Sequence, residues 1–255
     1  VTLHAALSAA ATLVSLAFAL STLERYLARH KPQELAWTVS LLLFSAGSAA
    51  LWFGAALGWS AWSFKAFYLF GAILNVPFLA LGTVYLLASR RTADQVAATV
   101  SMLGAFAAGI VIEAPLRAPV PAEGLPQGKE IFGAGPRIAA ALGSGVAATV
   151  IIGGALWSAG RLIANRRRGR SFPGAGRLAV ANVFIAVGTL VLSAGGLLNS
   201  VLDEMDAFAL SLVVGIAIVF VGFLLTNPPG GSTNESRGTD TGWRLPPHLS
   251  VERAA

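Results

Sequence analysis

The chain has no cysteine among its 255 residues, which removes disulfides, thiolate metal sites and cysteine nucleophiles. Charge is scarce as well. Only 12% of the residues are Asp, Glu, Lys or Arg, about half of the roughly 25% usual in soluble domains. There are three lysines, three histidines and two methionines. No ionisable residue falls near the middle of any long apolar block, so a proton relay of buried Asp, Glu or His is not expected. The last apolar block holds no lysine, which excludes a retinal Schiff base. His4, His30 and His248 are spread over opposite ends and the tail, so paired-His haem ligation within one chain is excluded too. No H-E-x-x-H, G-x-S-x-G or P-loop pattern occurs. The sequence carries no sign of an enzyme, a metal site or a cofactor.

What the sequence has in abundance is apolar length. Hydrophobic residues make up 55% of the chain. About 20 consecutive apolar residues cross a bilayer as a helix, and seven blocks reach or approach that. They are Thr2–Leu23, Leu35–Leu57, Phe64–Ala88, Val96–Pro115, Ile138–Leu162, Leu178–Leu198 and Ala207–Leu225. The expected fold is an all-α, polytopic membrane bundle of about seven transmembrane helices occupying residues 1–226. Residues 227–255 turn polar, with Pro228-Pro229-Gly230-Gly231, and read as a disordered tail.

The net charge of +6 would point to nucleic acid in a soluble protein. Here the arginines cluster between apolar blocks, and orientation in the membrane explains them better. Arg25, Arg29 and Lys31 read as the first loop and Arg90 and Arg91 as the third. Arg161, Arg166, Arg167, Arg168, Arg170 and Arg177 surround the fifth. These loops hold 11 basic residues; the opposite side has Lys65, Arg117, Lys129 and Arg137, which is 4. The excess predicts an external N-terminus and a cytoplasmic C-terminus. No basic residue precedes the first apolar run, so it reads as an anchor and not as a signal peptide. Trp59, Trp62, Phe64, Phe67 and Tyr68 mark the outer interface; Tyr26, Trp37, Tyr85 and Trp157 mark the inner one. Frequent Ala, Gly and Arg point to a GC-rich bacterium, hence to its cytoplasmic membrane.

Two groups of residues stand out as ligand-binding candidates. Asn75-Val76-Pro77 lies near the centre of the third block, where Pro77 deprives the carbonyl near Ile73 of its donor. An amide and a freed carbonyl at the midplane resemble the interrupted helices of transporter sites; the alternative is a structural kink. At the outer mouth, Asp203, Glu204 and Asp206 crowd one turn, Glu113 ends the fourth block, and Lys65 opens the third beside Trp59, Trp62 and Tyr68. Charges beside rings suit a polar or cationic ligand, whereas acids before the last helix also simply favour its dipole. Arg166, Arg167, Arg168 and Arg170 are candidate contacts for anionic lipid headgroups or a membrane or cytoplasmic protein partner. Asn182 and Asn199 are expected to bond across helices or cap an end. Small residues such as Gly104, Gly143, Ala147, Gly188 and Gly195 are expected to let helices approach closely.

The runs Phe67–Pro77, Leu81–Leu87 and Ser193–Glu204 resemble stretches of uncharacterised multi-pass membrane proteins of high-GC actinobacteria. The resemblance implies a shared bundle and brings no activity with it. The leading expectation is a non-enzymatic sensor, ligand-binding or accessory protein. A second is a facilitator of a small neutral solute on a three-one-three helix plan, as in SWEET-type sugar transporters. A third is a structural subunit of a membrane complex.

Overall fold

The computed structural model describes residues 3–121, 124, 126–167, 175–202 and 205–225. Seven of its helices are long and apolar enough to cross a membrane, and no strand occurs among the described residues. They are α1 Leu3–Arg29, α2 Pro32–Leu57, α3 Ala61–Leu87, α4 Arg90–Glu113, α5 Ala134–Arg167, α6 Ala175–Leu202 and α7 Met205–Leu225. The expected polytopic bundle is therefore found. The expected tail, 227–255, lies outside the described residues.

The helices run further than the apolar blocks that foretold them. Arg25 and Arg29 sit on the last turns of α1, not in a loop, and His30 at φ 49° reverses the chain directly into Lys31 and Pro32. Proline at the first helical position costs no hydrogen bond, because that N–H has no partner in a helix anyway. Helix α4 begins at Arg90 and not at Val96 because Ser89 caps it, its hydroxyl accepting from the Thr92 amide. Tyr85 then donates to Asp94 at 2.8 Å and Arg90 pairs with the same carboxylate at 3.0 Å, fixing the α3–α4 turn. Arg29 and Arg90 are exposed, and such long basic side chains reach water while their stems stay in the apolar layer.

Neighbouring helices pack in the cyclic order α1, α2, α3, α5, α6, α7 and back to α1, with α4 against the outside of the α3–α5 junction. Four means hold the junctions. Along α1 and α2, small and hydroxyl residues face each other: Ala5, Ser8, Ala11, Ser15, Ala19 and Thr22 are buried on α1, and Thr38, Ser45 and Ser48 on α2. Most of these hydroxyls bond their own helix backbone, but Ser45 donates to the Thr12 carbonyl at 3.1 Å and Thr38 to the Thr22 hydroxyl at 2.9 Å. Between them and α7 lie Phe18, Leu41, Phe44, Ile216, Val219 and Phe223.

Helices α6 and α7 meet through glycine in an antiparallel register seven residues apart. A Cβ on Gly222 would come within 3.0 Å of the Ala181 carbonyl; on Gly188, within 2.9 Å of the Gly215 carbonyl and the Val219 amide nitrogen. One heptad on, a Cβ on Gly195 would overlap the Ser211 hydroxyl. Lipid tails are as apolar as leucine, so close backbone approach must supply the association energy here. Asn182 adds a polar tie from α6 to α5, donating to the Ser158 hydroxyl at 2.8 Å.

This packing makes a graded prediction. Gly188→Val is expected to destabilise the detergent-solubilised protein by about 1–3 kcal/mol through overpacking. Gly145, on α5, has open space around it, and Gly145→Ala is expected to stay within about 1 kcal/mol and to be stabilising if anything. Equal effects in chemical unfolding would refute the glycine contact.

Candidate functional site

Helix α3 is not one regular helix. It is α-helical over Ala61–Ala66, π-helical over Phe67–Leu74 and α-helical again over Asn75–Leu87. The cause lies in Pro77, which has no N–H for the Ile73 carbonyl and whose ring crowds that carbonyl in a normal turn. A wider turn gives the ring room. π-Turns are rare and recur at functional positions.

Neighbouring helices satisfy the backbone around this break. Ser40 of α2 donates to the Asn75 carbonyl at 2.7 Å, and Ser144 of α5 donates to the Ala72 carbonyl. Glycine makes both approaches feasible. A Cβ on Gly47 of α2 would sit 2.8 Å from Gly71 Cα, and one on Gly143 of α5 would sit 3.4 Å from the Ile73 oxygen and 3.7 Å from the Pro77 ring. Asn75 itself is 6% exposed, and its side-chain oxygen is buried with no hydrogen-bond partner. A buried acceptor left unsatisfied costs about 1–3 kcal/mol. Such groups are uncommon in native proteins and call for an explanation. The sequence singled out Asn75 and Pro77; it did not reveal Ser40 and Ser144, since serines in a membrane helix are common and these two act from 35 and 69 residues away from Asn75 in sequence.

The described outer candidates have different partners. Lys65 donates to the Ile112 carbonyl at 2.7 Å, closing the end of α4, and lies 5.8 Å from the Trp62 ring. Trp59 is buried against Gly54, edge-on to Phe64 and Phe67. Tyr68 packs under Gly128 and edge-on to Phe132, which stacks on Phe64 at 5.0 Å. The loop after α4 thus lies on this end of the bundle: Leu116 pairs with Phe132, the Arg117 amide donates to Ile131, and Ile131 and Phe132 are fully buried. Glu113 and Arg117 line an open cleft of about 340 Å³ between the ends of α4 and α5. Asp206 is exposed at the start of α7, 3.4 Å from His4 of α1. Asp203, Glu204, Arg168 and Arg170 lie outside the described residues, and of Arg166 and Arg167 only their place in α5 is described.

The feature that sequence reading missed is an ion pair. Arg25, taken for a loop charge, bridges to Glu34 at 2.6 Å across the α1–α2 turn. The Glu34 side chain is only 3% exposed, and the Arg25 guanidinium also sits over the Phe223 ring at 4.2 Å. The pair therefore ties α1, α2 and α7 together where Trp37 packs edge-on to Phe223 and over Gly82 of α3. One signal was available: an acid in the first turn of α2 opposite a base in the last turns of α1, with a tight turn between. The bridge is single-stranded, since Glu34 Oε2 and the Arg25 Nε and Nη1 are buried without partners.

Removing one member of a buried pair leaves the other charge uncompensated, at about 3–5 kcal/mol. Glu34→Met and Arg25→Met are each expected to lower stability toward that range, and the two combined to recover much of the loss. Additive losses in the double-mutant cycle would show that the two groups do not interact.

Set against protein-family models, curated proteins and solved structures, the chain matches none.

Proposed function

We propose that this chain is a non-enzymatic, multi-pass membrane protein that binds a small neutral solute at the interrupted centre of α3 and acts as a sensor or binding subunit. The observation that carries the reading is the buried, unpartnered side-chain oxygen of Asn75 beside an eight-residue π-helical segment. An acceptor there calls for a ligand that donates a hydrogen bond. The same depth offers hydroxyls from Ser40 and Ser144 and no ionisable group, which favours a neutral molecule over an ion. The basic excess orients the Arg25–Glu34 end toward the cytoplasm in this reading, and the plugged aromatic end outward.

Both ends of the bundle are closed by packing, at Trp59, Phe64 and Phe132 on one side and at Arg25, Glu34, Trp37 and Phe223 on the other. A central polar spot between two closures also suits an occluded carrier. The cyclic helix order favours that second reading in one respect: α1–α3 and α5–α7 form two consecutive triplets with α4 outside them, as a three-one-three plan requires.

The test is a thermal-shift screen of the purified protein against neutral metabolites. A ligand at 100 times its dissociation constant stabilises by roughly 2.7 kcal/mol. A saturable hit is expected to disappear in Asn75→Ala and to persist in Asp206→Asn. A hit indifferent to Asn75 would refute the site. Flux of the same solute through proteoliposomes would decide for the carrier, and binding without flux for the sensor.

A further inference from the structure

A second site lies at the basic end, on the lipid-facing side of the bundle, independent of the Asn75 reading. It begins with a mismatch in helix length. Gly154 of α5 packs against the end of α3: an added Cβ would come 2.6 Å from Thr83 and 2.9 Å from Leu87. Helix α3 stops at Leu87, but α5 runs on for 13 residues past Gly154 to Arg167, about 20 Å at 1.5 Å per residue. The last turns of α5 therefore overhang α3 and make a ledge.

Beneath that ledge is a cleft of about 230 Å³, lined by Leu87, Trp157, Ser158, Arg161, Leu162 and Asn165. Liquid water occupies about 30 Å³ per molecule, so the space takes a headgroup of several heavy atoms. Its chemistry is divided. Leu87 and the largely exposed Trp157 ring continue the apolar outer face, and the half-buried Leu162 lines the cleft with them. Arg161, Asn165 and Ser158 contribute a guanidinium, an amide and a hydroxyl. Arg161 makes no ion pair with any described residue. The Ser158 oxygen already accepts from Asn182 at 2.8 Å, which leaves its own hydrogen to be donated. Every polar group aimed at an occupant is thus able to donate.

We propose that this cleft binds the phosphate of an anionic phospholipid, with Arg161 as the charge partner, Ser158 and Asn165 as neutral donors, and the acyl chains along Leu87, Leu162 and Trp157. A soluble anion would use the donors but gain nothing from the apolar wall, whereas a phospholipid uses both. Tryptophan and arginine at one level of a membrane helix also match the interface where headgroups lie.

The experiment is native mass spectrometry of the full chain in detergent, titrated with phosphatidylglycerol or phosphatidylcholine of identical acyl chains. Phosphatidylglycerol is expected to bind about five-fold tighter, the factor one basic residue supplies near an anionic lipid. Arg161→Gln should erase that preference and Arg161→Lys should keep most of it. Arg91→Gln, an exposed arginine at the same end but off the cleft, should leave it unchanged. Each variant is compared at matched unfolding temperature without added lipid. Equal binding of the two lipids would overturn the proposal. So would a preference that survives Arg161→Gln, or one lost equally in Arg91→Gln, which would mean diffuse attraction. Displacement of phosphatidylglycerol by millimolar inorganic phosphate would assign the cleft to a soluble anion and overturn it as well.

Discussion

Inside the hydrocarbon layer there is no water to accept or donate a hydrogen bond, so each backbone group must find its partner within the protein. One proline, Pro77, breaks that rule in the middle of α3, and much of the bundle is arranged around the break. The ladder widens into a π-segment over Phe67–Leu74. Ser40 and Ser144 reach in from the helices on either side to bond the Asn75 and Ala72 carbonyls. Gly47 and Gly143 let those helices come close enough to do so. A regular α3 would leave no carbonyl at Ile73 without its donor.

The other junctions solve the same association problem by different means. The α6–α7 pair relies on backbone proximity at Gly188, Gly215 and Gly222. The α1–α2 pair relies on small and hydroxyl residues closed by Arg25 and Glu34 at one end. Neither depends on burying apolar area, because lipid offers an equivalent surface. It follows that large apolar residues such as Met102, Leu103 and Phe106 on α4 can remain on the outside, while these two junctions are lined largely by Ala, Gly, Ser and Thr.

The fold class was readable because membrane spans are set by length and hydropathy alone, and all seven blocks became helices. Helix ends were less readable. Apolar blocks stop where charge starts, but Arg25 and Arg90 continue their helices, since capping and turn geometry set the ends and not hydropathy. Pro77 announced the break in α3, because proline acts through its own missing N–H. Its depth could be read, but the width of the π-segment could not, since that depends on how far Ser144 and Gly143 intrude. The Arg25–Glu34 pair escaped because basic residues between apolar blocks have an adequate explanation in orientation, and burial depends on where α7 places Phe223. The outer mouth looked like one cluster in sequence. Tertiary packing gives its described members different partners: the Ile112 carbonyl for Lys65, a cleft for Glu113 and His4 for Asp206.

The central claim is that the middle of α3 is a weak, polar point in an otherwise sealed bundle. Hydrogen–deuterium exchange of the full chain in lipid nanodiscs tests it most directly. Irregular ladders open locally at lower free energy than regular ones. Amides of residues 70–79 should therefore exchange faster than those of residues 41–50 on α2, a stretch with no proline at comparable depth. Equal protection of the two stretches would mean that α3 is as tightly sealed as its neighbours, and would contradict the account.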